Sequence, residues 1–158
     1  MKILLGLGLL SLLILTGCST KVGIEQVMEH TISEDKQITR VISNKDELKS
    51  AEKQIFSLRS FNGKNSKTVW NKIKTDIDLS KENILIHTIH QNSICKYDEK
   101  FVKKSSEQVD IMLMDSKNPN TICMHASVNY YLIYRVSKDI KKVGIKAFNY
   151  DYVVVDMK

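Results

Sequence analysis

In Tyr130-Tyr131-Leu132-Ile133-Tyr134-Arg135-Val136, the side chains Tyr130, Leu132, Tyr134 and Val136 recur at every second position. That is the period of a strand with one face turned to a core. The same alternation runs upstream, where Ile122, Met124, Ala126 and Val128 interleave with Thr121, Cys123, His125 and Ser127. It appears again in Val109, Ile111 and Leu113 and in Val143, Ile145 and Ala147, while Ile84 to Ile89 is a β-branched-rich run and Tyr152 to Val155 reads as a last strand. Polar turn material separates these runs: Gln91-Asn92-Ser93, Ser116-Lys117-Asn118-Pro119-Asn120 and Ser137-Lys138-Asp139. Strands that follow one another with short links and no helical period between them predict antiparallel pairing. The expected class is mainly β (α+β), an antiparallel β-sandwich or open barrel.

Upstream of that β-rich half the period changes. Gln37 to Ile42 reads as a short strand, and Leu48, Ala51, Ile55 and Leu58 then recur at helical spacing. Ser43-Asn44 stands where an N-cap belongs, with Asp46 and Glu47 placed to close a capping box. This predicts one amphipathic helix over about 45–58, packed on the sheet. Arg59 to Lys67, with Asn62-Gly63, reads as a polar loop. Val69, Trp70, Ile73 and Ile77 fit a second short helix or an irregular strand, which period alone does not separate, and Trp70 reads as a core plug.

The N-terminus has a different character. Lys2 precedes the apolar run Ile3 to Leu15, which ends in Leu15-Thr16-Gly17-Cys18. Thirteen residues at about 1.5 Å each reach roughly 20 Å, short of the roughly 30 Å hydrocarbon core of a bilayer. The segment therefore reads as a processed leader. It resembles the signal peptide of bacterial lipoproteins, whose lipobox ends in the cysteine that is acylated. The resemblance implies removal of residues 1–17, lipid on Cys18 and a membrane anchor made durable by more than one acyl chain. Ser19 after that cysteine resembles cargo passed on to the outer membrane, so the expected location is the outer membrane, lipid-anchored and facing the periplasm. Residues 18–35 read as a spacer, within which Ile24 to Met28 has the composition of a helical turn or an edge strand. Residues 36–158 read as a single β-rich domain.

The chain carries 24 Lys and Arg against 18 Asp and Glu, a net charge of +6. Lysines alternate with acids, as in Glu47, Lys49, Glu52 and Lys53, and no basic cluster is interleaved with aromatics. This argues against a nucleic-acid groove and for a solvated surface, with anionic lipid or an acidic partner as the functional alternative. One proline, six glycines and no repeat argue for an ordered domain.

With Cys18 assigned to lipid, Cys95 and Cys123 are the two remaining thiols of an exported domain, which predicts a disulfide between them. It would close a loop of about 30 residues, worth about 3–4 kcal/mol in the chain-entropy view. The competing reading is a metal site using His87, His90, Cys95, Cys123 and His125, with soft ligands suited to Zn²⁺ or Cu⁺. His87 and His90 are three apart and point to opposite faces of a regular strand. No CxxC or HxxxH spacing is present, and no cofactor is expected.

Catalytic frames are missing: no G-x-S-x-G elbow, no H-E-x-x-H helix, no phosphate-cradling glycine loop. Tyrosine suits interfaces, and Tyr130 and Tyr134 face opposite to Tyr131 on a strand. Tyr130 and Tyr134 are assigned to packing, and Tyr131 is the surface candidate for binding.

From Ile38 onward the layout is similar to the C-terminal domain of the protease complex subunit PrcB. The similar elements are Ile42-Ser43-Asn44-Lys45-Asp46-Glu47-Leu48, the lead-in Ile77-Asp78-Leu79-Ser80-Lys81-Glu82-Asn83, and the late strand Tyr131-Leu132-Ile133-Tyr134-Arg135-Val136-Ser137-Lys138. That family's glycine-rich turn is replaced here by Asn92-Ser93-Ile94-Cys95. The resemblance bears on fold and transfers no site residue. The expected role is a lipid-anchored, non-catalytic module that binds an envelope protein, inhibitor-like in kind. A periplasmic metal-binding protein is the second reading and an envelope hydrolase the third.

Overall fold

A computed structural model of the chain describes residues 22–32, 38–57, 63–91, 97–116, 128–148 and 152–158. The elements run β1 (Ile24–Ile32), β2 (Thr39–Ile42), α1 (Lys45–Ser57), α2 (Gly63–Asp76), β3 (Glu82–Gln91), β4 (Tyr97–Lys103), β5 (Gln108–Asp115), β6 (Val128–Ser137), β7 (Lys142–Ala147) and β8 (Val153–Asp156). They form two four-stranded sheets, ordered β1-β6-β3-β2 and β4-β5-β7-β8. The mainly β, α+β sandwich-like class expected from the alternation is the one observed, without barrel closure.

Strand alternation sorts the side chains into two cores and so builds three layers. Leu85, Ile89, Tyr130, Leu132, Tyr134 and Val136 of the first sheet meet Val109, Ile111, Leu113, Val143 and Ile145 of the second. The intervening residues Ile84, Ile86, Tyr131 and Ile133 point the other way, against Leu48, Ala51 and Ile55 of α1 and Trp70 and Ile73 of α2. The first sheet is thus buried on both faces, which is why β6 and β3 carry nearly unbroken apolar runs. The helices cover one of those faces and the second sheet covers the other.

α1 starts where the capping signature predicts. The Glu47 amide donates to Asn44 Oδ1 at 2.9 Å, and the Ser43 amide donates to Glu47 Oε2 at 2.7 Å. Two orphan donors of the first turn are satisfied reciprocally. α2, left open by period between helix and strand from Val69 on, is a helix that buries Trp70 completely and takes in residues 63–67 of the stretch read as loop. Lys74 on α2 meets Glu52 on α1 at 2.8 Å.

Three departures from the sequence reading position the rest. Ile24–Ile32 is a full strand at the edge of the first sheet, so the domain extends into the segment read as spacer. Its ladder shifts between Gln26 and Met28, and this bulge aims Gln26 and Glu29 at the second sheet and Met28 and His30 at the helices. A strand with polar residues on its inward side lacks the binary pattern that announces one. Tyr97–Lys103 is a strand for the same hidden reason, with Glu99 between the packed aromatics Tyr97 and Phe101. Five of the six strand pairs are antiparallel, but β5 and β7 run parallel. The intervening β6 lies in the other sheet, so β7 comes back in the direction of β5.

Candidate interaction surface

Helices shield the first sheet, but among the described residues nothing covers the outer face of the second. Met112 lies between Lys100 of β4 and Lys146 of β7 in one row of the ladder, and Met114 lies opposite Asp98. Met114, Tyr152 and Val154 are 40 %, 46 % and 47 % exposed, with Val153 beside them on β8. Of the large apolar side chains exposed among the described residues, Val69 lies on α2, and Val153, opposite the buried Ile145, is on the inward face of β8. An apolar strip flanked by lysines is the composition of a protein-binding face more than of a solvated one.

One polar device is built into this face. Asp110 is buried, and it accepts from Tyr152 OH at 2.8 Å and from Gln108 Nε2 at 3.2 Å, with Lys104 Nζ at 3.7 Å. The Tyr152 ring reaches Asp110 by crossing Gly144. A Cβ at position 144 would stand 2.1 Å from the Tyr152 hydroxyl and 2.4 Å from Asp110 Oδ1. The missing side chain is what lets the phenol lie flat on β7. Burial and the bond to Asp110 push the Tyr152 phenol above its ordinary pKa.

A second polar group bridges the two sheets where β1 and β4 run along the same edge. Tyr97 OH donates to Glu29 Oε2, Gln26 Nε2 donates to Tyr97 OH at 3.2 Å, and Tyr134 OH donates to Glu99 Oε1 at 2.7 Å. Burial raises the Glu99 carboxyl, the Tyr134 donor opposes that rise, and Glu29 adds to it. Both phenols are raised, chiefly by burial. These bonds join the layers.

His30 Nδ1 and Ser66 Oγ are 2.9 Å apart beneath α2, with Phe56 edge-on to the imidazole. The ring is fully buried, and burial lowers its pKa. The buried ring joins β1 to α2 through Ser66.

The residues singled out from sequence fare differently. Cys18, Cys95, Cys123 and His125 lie outside the described residues. His87 and His90 fall on opposite faces of β3, as their spacing requires, so the structure does not bring them together. His87 Nδ1 pairs with Thr39 Oγ1 at 2.9 Å, and His90 Nδ1 with Asn129 Oδ1 at 2.8 Å. Among the described residues no three His, Cys, Asp or Glu side chains converge as a metal site would need. Tyr131 is fully buried beneath the helices, and this corrects its assignment as a surface candidate. On β6 the face opposite the inter-sheet core is not solvent but the second core. Tyr130 and Tyr134 pack between the sheets as assigned.

The residues that flank the two cysteine-bearing connections pair with one another in the sheets. Gln91 and Val128 pair in the first sheet, and Tyr97 and Asp115 pair in the second. The connection 92–96 runs from Gln91 to Tyr97, and the connection containing 117–127 runs from Asp115 to Val128. Both therefore cross between the same two ladder ends.

Compared with known proteins, the chain matches no family model, no curated protein and no solved structure. The apolar strip is a candidate surface with no counterpart among the residues singled out from sequence. Its signal lay in Met112, Met114, Tyr152 and Val154 as the outward members of strands whose inward members were already assigned to the core.

Proposed function

We propose that this chain is a lipid-anchored cell-envelope protein that acts by binding a partner protein, without catalysis of its own. The observation that carries the reading is the uncovered face of the second sheet, with Met112, Met114, Tyr152 and Val154 set among Lys100, Lys142 and Lys146. A lysine on each side of an apolar strip suits a partner that presents apolar anchors flanked by carboxylates. The leader ending in Leu15-Thr16-Gly17-Cys18 supports lipid on Cys18, and Ser19 supports delivery to the outer membrane with the domain in the periplasm. In that oxidising compartment a Cys95 to Cys123 disulfide would clamp two connections whose flanking residues pair in register.

The test compares wild-type protein with Met114→Glu and Val154→Glu, using Val69→Glu on α2 as the control, in capture experiments from envelope membranes. The partner is retained by wild type and by the control and lost by the two face variants. Retention by all four places binding elsewhere and overturns the reading. Mass spectrometry of the mature N-terminal peptide checks the anchor separately, since lipid on Cys18 adds a mass that an unprocessed leader lacks.

A further inference from the structure

We infer that the end of the sandwich at which β1 begins is a docking surface for anionic phospholipid headgroups, so that the domain stands on the membrane with its strands upright. The inference rests on the proposed lipid at Cys18 and adds which surface meets the bilayer.

The first argument is reach. The Gly23 carbonyl accepts from the Ser137 amide at 2.7 Å, and a Cβ at Gly23 would touch Ile140, so the chain is fixed against the β6–β7 turn from this point. Val22 packs on the inter-sheet core. Three residues separate Cys18 from Val22, and the four steps between them span at most about 14 Å fully extended. A spacer reaching residue 35 would have let the domain tumble freely above the membrane. One ending at Val22 holds this end of the sandwich at headgroup level.

The second argument is what that end carries. Backbone hydrogen bonds gather three turns there: Lys138 N donates to Lys81 O at 2.9 Å, and Lys141 N and Lys142 N donate to Glu107 O at 2.7 and 3.1 Å. Val22, Gly23, Lys103 and Ser137 line one open groove of about 740 Å³ at the same end, together with Asp139, Glu25 and the ion pair of Glu82 with Arg135. The turns hold six lysines, Lys81, Lys103, Lys104, Lys138, Lys141 and Lys142, against the carboxylates Asp78, Glu107 and Asp139, with Asp156 of β8 opposite Lys142 in the ladder. Asp78 is paired with Lys81 at 3.3 Å, and Lys104 leans to Asp110. Among the described residues, Lys103, Lys138, Lys141 and Lys142 have no carboxylate within ion-pair distance, and Lys141 Nζ donates instead to the Lys138 carbonyl at 2.7 Å. Unpaired lysines held within a Debye length of an anionic leaflet are attracted to it, whereas lysines a strand's length away are screened.

The experiment uses the full lipidated protein, reconstituted in vesicles of phosphatidylcholine alone or mixed with phosphatidylglycerol, and reads the labelling of each lysine by an amine-reactive reagent. With phosphatidylglycerol, labelling of Lys103, Lys138 and Lys141 falls about fivefold, the equivalent of one lysine's attraction to an anionic surface. Lys67 at the start of α2 and Lys146 on β7 keep their rates, and 1 M salt abolishes the protection. Replacing Lys138 and Lys141 with glutamine restores labelling at Lys103. Unchanged labelling in vesicles that carry the protein overturns the docking surface while leaving the anchor intact. Failure of the anchor is seen differently, as protein that does not float with any vesicle and an N-terminal peptide without lipid.

Discussion

Tyr134 on the first sheet donates its hydroxyl to Glu99 on the second at 2.7 Å, while Tyr97 on the second donates to Glu29 on the first. The two bonds are reciprocal, each sheet giving one phenol and one carboxylate to the other. Tyr134→Phe leaves a half-buried carboxylate without its donor, and the expected loss is about 1–3 kcal/mol in urea unfolding. Glu99→Gln keeps an acceptor and removes the charge, so the double variant loses less than the sum of the singles. Additive losses would show that the bond contributes nothing to the layer contact.

Gly144 is tested through Tyr152. In Gly144→Ala the new methyl displaces the phenol from Asp110, with an expected cost of about 1–3 kcal/mol for the buried carboxylate left short of a donor. In a Tyr152→Ala background the same change meets no ring and costs little. Thermal denaturation of the four proteins decides it: equal losses in both backgrounds would trace the effect to backbone and not to the phenol.

Acid sensitivity follows from His87. Burial lowers its pKa to about 4, against about 6.5 in the unfolded chain. Between those values the unfolded state binds more protons, so stability falls as pH drops from about 6.5 towards 4, at no more than about 1.4 kcal/mol per unit. His30, also lowered by burial, acts in the same sense. Glu99 acts oppositely, because its raised pKa makes the folded state the better proton binder just above the ordinary carboxylate range. Unfolding free energies measured at pH 7 and pH 5 should therefore diverge less in His87→Gln than in wild type, and more in Glu99→Gln.

The two thiols give a fourth prediction. Mature protein unfolded without reductant should show no titratable thiol at Cys95 or Cys123, and Cys95→Ser should lower stability by about 2–4 kcal/mol. Reductant should bring wild type down to the level of the variant. Two reactive thiols in protein from an oxidising compartment would end the proposal.

The legible parts of the fold are those where one physical signal dominated. β3, β5, β6 and β7 show unbroken apolar alternation, and α1 shows both its period and its cap. β1 and β4 were hidden because Gln26, Glu29 and Glu99 occupy inward positions, where hydrogen bonds across the sheets replace apolar contact. Tyr131 was misplaced because alternation tells two faces apart without saying how many layers cover them. That α2 is a helix settled the matter, since it turned the supposed outside of β6 into an interior. The apolar strip of the second sheet was legible only once that sheet was known to have no cover.

The parallel pairing of β5 and β7 constrains how this molecule is made. The chain passes from the first sheet at β3 to the second at β4 and β5, back to the first at β6 and again to the second at β7, so β6, a central strand of one sheet, is threaded through the path that builds the other. Neither sheet corresponds to a contiguous piece of sequence. A break between β5 and β6 would hand each fragment an incomplete half of both, and the two pieces would be expected to regain structure only by reassociating.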